Sequence, residues 1–147
     1  MALSVTPFLM FEGNAEEAMN FYVSLFKGSE VMNVERYGPS EQGTEGSIKI
    51  AHFALGAQHF RCTDSPIKHA FSFTPSTSIF VDCEDEAELD EAFKELSAGG
   101  EVLMPVSDYG FSAKFGWVND RFGVSWQLNL QVRDWLHPSR ALTLHSK

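Results

Sequence analysis

The sequence predicts an α+β fold of two βαβββ modules, forming a curved mixed sheet with a concave trough and helices on the outer face. Three observations predict it. The stretch "GSEVMNVERYG" (Gly28–Gly38) is echoed by "GGEVLMPVSDYG" (Gly99–Gly110) about seventy residues on, a step too long for a solenoid repeat and right for half of a duplicated domain. Each copy follows an amphipathic helical segment that ends on its first glycine. Each copy also opens a run of three strand-like segments. A βαβββ unit covers one sheet face with its helix and leaves the other bare, so two units side by side can join their bare faces into a trough.

The elements follow in order. "VTPFLMF" (Val5–Phe11) is a short apolar run and reads as a strand. Asn14 is a good N-cap for a helix over 14–27, with Glu16 and Glu17 in the first turn where the helix dipole favours acids. Ala18, Phe21, Tyr22, Leu25 and Phe26 recur at helical spacing, and Gly28 supplies a left-handed cap. Strands follow at about Glu30–Tyr37, Ser47–Leu55 and Gln58–Thr63, the last two joined by a tight hairpin at "ALGAQ". The second half repeats this grammar. "STSIFV" (Ser76–Val81) alternates like a half-buried strand, and a helix over 84–98 begins with Asp85 and Glu88 at capping-box spacing. Leu89, Phe93 and Leu96 form its apolar stripe, Asp90 and Lys94 an i,i+4 pair, and Gly99–Gly100 its end. Strands then run at about Glu101–Val106, Ala113–Asn119 and Val124–Asn129, with "NDRFG" (Asn119–Gly123) as the second hairpin. The modules span about 4–64 and 76–130 of a single domain over 1–130, and 131–147 is a C-terminal extension.

Composition narrows the function. The chain has 147 residues, 44% apolar, enough for a core, and its thirteen Phe residues either fill that core or line a cavity. A net charge of −9 with no long basic run argues against nucleic acid. No apolar run is long enough to span a membrane, and no signal peptide is evident, so a soluble cytoplasmic protein is expected. Cys62 and Cys83 are too few for a disulfide framework and too isolated for zinc, and read as buried free thiols.

With "TPFLMFEGNAEEAMNFY" (Thr6–Tyr22), "SIFVDCEDEAELDEAFKELSAGG" (Ser78–Gly100) and "FGWVNDRFGVSWQL" (Phe115–Leu128), the chain resembles the PhnB-like group of the vicinal oxygen chelate superfamily. That superfamily includes glyoxalase I, extradiol dioxygenases and the bleomycin and fosfomycin resistance proteins. The resemblance covers roughly residues 4–130. Many relatives are described as ubiquinone-pathway methyltransferases, but no glycine-rich loop leads from a strand to an acidic residue, as a methyl donor's nucleoside would want.

The resemblance implies one metal held by His and carboxylate ligands from four strands, polarising neighbouring substrate oxygens. The matching positions fall near Thr6, Asp64 and Ser76 and on Gln127. Three are neutral and only Asp64 is anionic, so no metal and no cofactor are expected. His52 and His59 flank the first hairpin, while His69, His137 and His145 lie in loop and tail; none forms a motif with Asp64. By strand alternation Ser76, Ser78 and Phe80 share the trough side, as do Ser125 and Gln127, while Thr77, Ile79, Val81, Val124, Trp126 and Leu128 turn the other way. Phe8, Met10, Phe60, Cys62 and Trp117 are candidate apolar walls.

Thr6, Phe8, Met10, Phe60, Asp64, Ser76, Ser78, Trp117, Ser125 and Gln127 therefore form the expected ligand-binding set. The expected function is binding of a small molecule without a catalytic metal, the acidic charge suiting a cation, and the expected assembly is a homodimer. The alternatives are a metal-dependent lyase, isomerase or dioxygenase, or an enzyme using Asp64 as general base, and a structural dimer with a filled trough. In the extension, Trp135 and Leu136 before Pro138 are expected to dock on the chain's own sheet edge or on a second subunit.

Overall fold

The computed structural model describes residues 1–131, and Trp135 and Leu136 lie outside them. The chain divides into two compact units between Phe71 and Ser72. The first contains β1 (Phe8–Phe11), α1 (Ala15–Leu25), β2 (Glu30–Arg36), β3 (Ile48–Leu55) and β4 (Gln58–Asp64). The second contains β5 (Ser78–Asp82), α2 (Glu86–Ser97), β6 (Glu101–Ser107), β7 (Lys114–Asn119) and β8 (Ser125–Leu130). Strand order is β1-β4-β3-β2 in one sheet and β5-β8-β7-β6 in the other. In both, the first strand pairs parallel with the last and the remaining pairs are antiparallel. The βαβββ unit is thus performed twice. The two helix-closing glycines adopt nearly the same left-handed backbone, φ 74° at Gly28 and 73° at Gly99, a conformation that costs a residue with a Cβ.

Both leading strands begin later than the apolar pattern suggests. Thr6 precedes β1. Ser76 is held in a turn, where Thr77 N–H donates to Thr74 O (3.3 Å) and the Thr74 and Ser76 hydroxyls meet at 2.7 Å. Pro75 in that turn has no amide to give a ladder.

The α1 stripe is also rotated from the expected one. Ala15, Ala18, Met19 and Tyr22 are buried, whereas Phe21, Leu25 and Phe26 are only half-buried. Three- and four-residue spacing was read correctly, but small residues are what a close helix-to-sheet approach accommodates. Tyr22 packs on Phe53 (ring centroids 6.4 Å), which stacks on Phe60 at 5.2 Å. In the second module Leu89, Ala92 and Leu96 of α2 are buried, as are Val118, Trp126 and Leu128 of its sheet. Phe93 lies against Gly116, where an added Cβ would sit 2.5 Å from its ring. A buried indole alone removes roughly 150–250 Å² from water, worth about 4–6 kcal/mol as an upper estimate. Asp90, expected to pair with Lys94, instead takes Lys114 of β7 (2.7 Å), which also reaches Glu86 at 2.8 Å.

Candidate functional site

Alternation along the strands sorts each sheet into a helix-covered face and an open one. In the second module Ile79, Val81, Trp126 and Leu128 turn to the helix side, the last two fully buried. The opposite set is Ser78, Phe80 and Asp82 on β5, paired in register with Ser125, Gln127 and Asn129 on β8. Beside them on β7, Asn119, Trp117 and Phe115 face Ser125, Gln127 and Asn129. Several polar groups on this open face pair with one another. Gln127 Nε2 donates to Ser78 Oγ (2.7 Å), Trp117 Nε1 to Ser125 Oγ (2.8 Å), and Asn129 Nδ2 to Asp82 Oδ1 (2.9 Å).

Above this row opens a cleft of about 610 Å³ walled by Phe80, Phe111, Phe115, Gln127, Asn129 and Gln131. Phe115 is buried at its floor, while Phe80 and Phe111 are exposed. Phe111 meets Phe115 edge-on at 5.0 Å, and Tyr109 meets Phe115 likewise at 6.0 Å.

The expected ligand set divides. The structure brings Ser78, Trp117, Ser125 and Gln127 together on the open face of the second module. In the first module Phe8 and Met10 lie on the face opposite Phe11 and Asp64, and Thr6 borders a separate cleft of about 390 Å³ with His52, His59 and Arg61. There His52 Nε2 and His59 Nδ1 are hydrogen-bonded at 2.7 Å across the β3–β4 ladder.

Phe60 and Asp64 depart from the expectation. Both stand, with Cys62, on the helix-covered face, so they line no open surface. The parity of β4 explains it: Phe60, Cys62 and Asp64 are buried and alternate with exposed His59 and Arg61 and half-buried Thr63, so the even-numbered set faces α1. Asp64 is 4% exposed. Its Oδ1 accepts from Gly13 N (2.8 Å) and Ala15 N (2.9 Å), and its Oδ2 from Ile48 N (2.9 Å). A carboxylate so placed pins the first turn of α1 to the sheet, complementing the helix dipole. Buried under α1 with three amide donors on it, the carboxylate faces no open cleft from which to act as a base. Ser76, in its turn ahead of β5, stands apart from the β5 row.

A comparable pin lies in the second module. Asp120, buried in the β7–β8 turn, accepts from Phe122 N (2.8 Å), Val124 N (3.1 Å) and Trp126 Nε1 (2.9 Å). The "NDRFGVSW" motif is thus a structural device: a carboxylate, a turn and an indole locked together. Sequence reasoning missed Phe111, Phe115, Asn129 and Gln131. Phe115 and Asn129 were within reach, being two residues along from Trp117 and Gln127 on the same faces. Phe111, in a loop, carried no periodic signal.

Burial pushes both thiols, Cys62 and Cys83, up to about 12, aided by the neighbouring Asp64 and Glu88 carboxylates respectively. Both are free and buried, as expected, and neither is a nucleophile.

Paired βαβββ modules define the vicinal oxygen chelate class of fold. Consistent with it, the fosfomycin resistance protein FosX from Listeria monocytogenes, solved with Mn(II), aligns with 92% of this chain and 98% of its own at a TM-score of 0.64, with 14% identity. The family described as 3-demethylubiquinone-9 3-methyltransferase matches residues 3–129, so the chain belongs to that family, the PhnB-like group of the superfamily. A PhnB protein from Bacillus cereus is 53% identical, with a TM-score of 0.84 over 86% of this chain and 98% of that one. Protein PA1353 from Pseudomonas aeruginosa is 28% identical, with a TM-score of 0.77 over 88% and 98%.

The metal that the superfamily implies does not fit the residues present. At the positions the resemblance implies, Asp64 is buried and already accepts from three amides, the Ser76 hydroxyl pairs with Thr74, and Gln127 and Thr6 offer only neutral oxygens. Among the described residues no three His, Cys, Asp or Glu side chains group to hold a metal ion. Methyl transfer finds no better support. The β1–α1 junction is Glu12-Gly13-Asn14 and the β5–α2 junction Cys83-Glu84-Asp85, neither of them glycine-rich. Neither described helix is long and apolar enough to cross a membrane.

Proposed function

We propose that this chain binds a small organic molecule on the open face of its second module, without a catalytic metal. The observation that carries the reading is the cleft of about 610 Å³ walled by Phe80, Phe111 and Phe115 and floored by the amides of Gln127 and Asn129. Small-molecule sites have volumes of about 300–1,000 Å³ and mostly apolar walls with a few orienting polar groups. Ser78, Trp117 and Ser125 serve as supports, since their mutual hydrogen bonds hold Gln127 and the sheet row in place. On this reading Thr6, Phe8 and Met10 of the first module line a surface of their own, and the working unit is a homodimer in the cytoplasm, a reducing compartment that suits two unpaired thiols.

The test is a thermal-shift screen of the full chain, purified without an affinity tag, against organic cations, anions and neutral aromatics, alongside metal analysis and sedimentation. A ligand at about a hundred times its Kd stabilises by about 2.7 kcal/mol, several degrees in a domain of this size. The expected result is a shift that Phe80→Ala and Gln127→Leu both reduce. Stoichiometric zinc, nickel, manganese or iron would instead favour a lyase, isomerase or dioxygenase and overturn the metal-free reading. A screen without any hit would overturn binding itself.

A further inference from the structure

Asn129 is 94% buried, being 6% exposed, yet its Oδ1 is cut off from water with no donor among the described residues. Two other buried side-chain atoms share that condition, Ser112 Oγ and Asn119 Oδ1, but neither residue lines the cleft. The orientation of the Asn129 amide is not arbitrary. The Asp82 carboxylate can only accept, so it must meet the NH₂ group, which it does at 2.9 Å, and the carbonyl oxygen is then turned the other way. The same Asp82 Oδ1 accepts from Gln131 Nε2 at 3.0 Å. A buried acceptor without a donor is costly to keep, and a protein that keeps one at a cleft has a use for it.

Resting on the small-molecule reading above, we infer that Asn129 is the specificity-determining acceptor of the cleft and that the ligand is a flat aromatic cation carrying an N–H donor. Each part has its observation. The N–H answers Asn129 Oδ1. The flat ring answers Phe80 and Phe111, whose rings are exposed at 53% and 65% on either side of buried Phe115. These exposed rim side chains can rotate, and the ligand reaches the closed-off oxygen by displacing them. The positive charge answers three features: among the described residues no Lys, Arg or His lines the cleft, the Asp82 carboxylate stands one hydrogen bond from Asn129, and the chain carries −9. Aromatic faces add cation–π attraction for the same charge. An anion would meet nothing but carbonyls, amides and ring faces.

Four matched probes test this with the ¹⁵N-labelled full chain: benzamidine (ring, charge and N–H), benzamide (ring and N–H), phenyltrimethylammonium (ring and charge) and benzoate (ring and negative charge). Benzamidine is expected to move the Asn129 side-chain amide and the Phe80 and Gln127 backbone amides. It should bind at least about tenfold tighter than phenyltrimethylammonium, because a site with a buried hydrogen-bonding group rejects a ligand that leaves it unpaired. Benzoate should move nothing. In Asn129→Leu the advantage of benzamidine over phenyltrimethylammonium should vanish, while the unliganded protein melts near the wild-type temperature, since the orphaned acceptor is removed together with one hydrogen bond to exposed Asp82. Phe80→Ala, at an exposed position that leaves the fold intact, should weaken every aromatic cation alike. Equal binding of benzoate or phenyltrimethylammonium, survival of the advantage in Asn129→Leu, or affinity unchanged in Phe80→Ala would each overturn the inference. If all four probes fail while another hit from the screen moves the same resonances, the ligand class falls and small-molecule binding stands; if nothing moves them, both fall.

Discussion

The two modules share a frame and differ in how polar groups fasten it. In the first, a carboxylate at the far end of the unit does the fastening: Asp64, closing β4, holds the amides of Gly13, Ala15 and Ile48, about fifty residues distant in two cases. In the second, Asp120 fastens its own hairpin, holding the amides of Phe122 and Val124 and the indole of Trp126. The open faces differ as well. The first carries Arg61, His52 and His59 around its cleft, the second aromatic rings and side-chain amides. Duplication has therefore preserved what the apolar pattern specifies and left the polar pins and the surfaces free to diverge.

The largest effect expected from breaking this comparison is at the pins. Asp64→Ala strands three amides, two of them buried, at about 1–3 kcal/mol for each unpaired buried group, so a loss of about 3–5 kcal/mol in urea denaturation is expected. Asp64→Asn should recover less than half of it, because one oxygen is replaced by a donor facing donors. Hydrogen exchange should accelerate first at Gly13, Ala15 and Ile48 in Asp64→Ala. In Asp120→Ala it should accelerate first at Phe122 and Val124. The same amides exchanging faster in both variants would show that the pins are not the separate devices described.

A second effect comes from the thiols, one in each module. Their ordinary value is 9.0 and burial raises both to about 12. The unfolded chain releases these protons at lower pH than the folded chain does. The stabilising contribution is therefore complete below pH 9 and is lost as pH rises toward 12. Stability should fall over that window in the wild type and fall less in Cys62→Ala/Cys83→Ala. Below pH 9, labelling by iodoacetamide should track global unfolding; fast labelling of either thiol under native conditions would contradict its burial.

Most of the frame was legible in the sequence because it is written in short-range patterns. Gly28 and Gly99 announced the helix ends, two-residue alternation sorted Ile79 and Val81 from Ser78 and Phe80, and Asp85 with Glu88 announced a cap. The site was less legible, because faces and partners are tertiary facts. Phe60 sits at a parity that reads equally well for either face until α1 is placed on it. Asp64 resembled a ligand by position, and only its three amide partners show that its charge is spent on a helix end. Thr6 and Ser76 stand near the ligand positions that the resemblance implies, yet both lie ahead of the strands that would aim them.

The smallest expected effect tests the contrast between the helix starts directly. Both α1 and α2 begin after a residue that favours capping, Asn14 and Asp85. Asp85 performs the role: its side chain accepts from Glu88 N at 2.8 Å, while Glu88 Oε1 accepts from Glu84 N at 2.8 Å. Asn14 makes no side-chain cap bond, and the amides on either side of it, Gly13 N and Ala15 N, are held by Asp64 instead. Loss of a working N-cap costs about 1 kcal/mol. Asp85→Ala should therefore lower stability by about that much, whereas Asn14→Ala should lower it by no more than about 0.3 kcal/mol, near the scatter of surface substitutions. The pair is best measured in one urea series, where equal losses would mean that Asn14 does cap α1 in solution. In the Asp64→Ala background the order should change. With the distal carboxylate gone, Gly13 N and Ala15 N lose their acceptor, the start of α1 depends on its own N-terminal residues, and Asn14→Ala should then cost more than it does alone. Additive losses in that double variant would show that the two residues do not act on the same helix end.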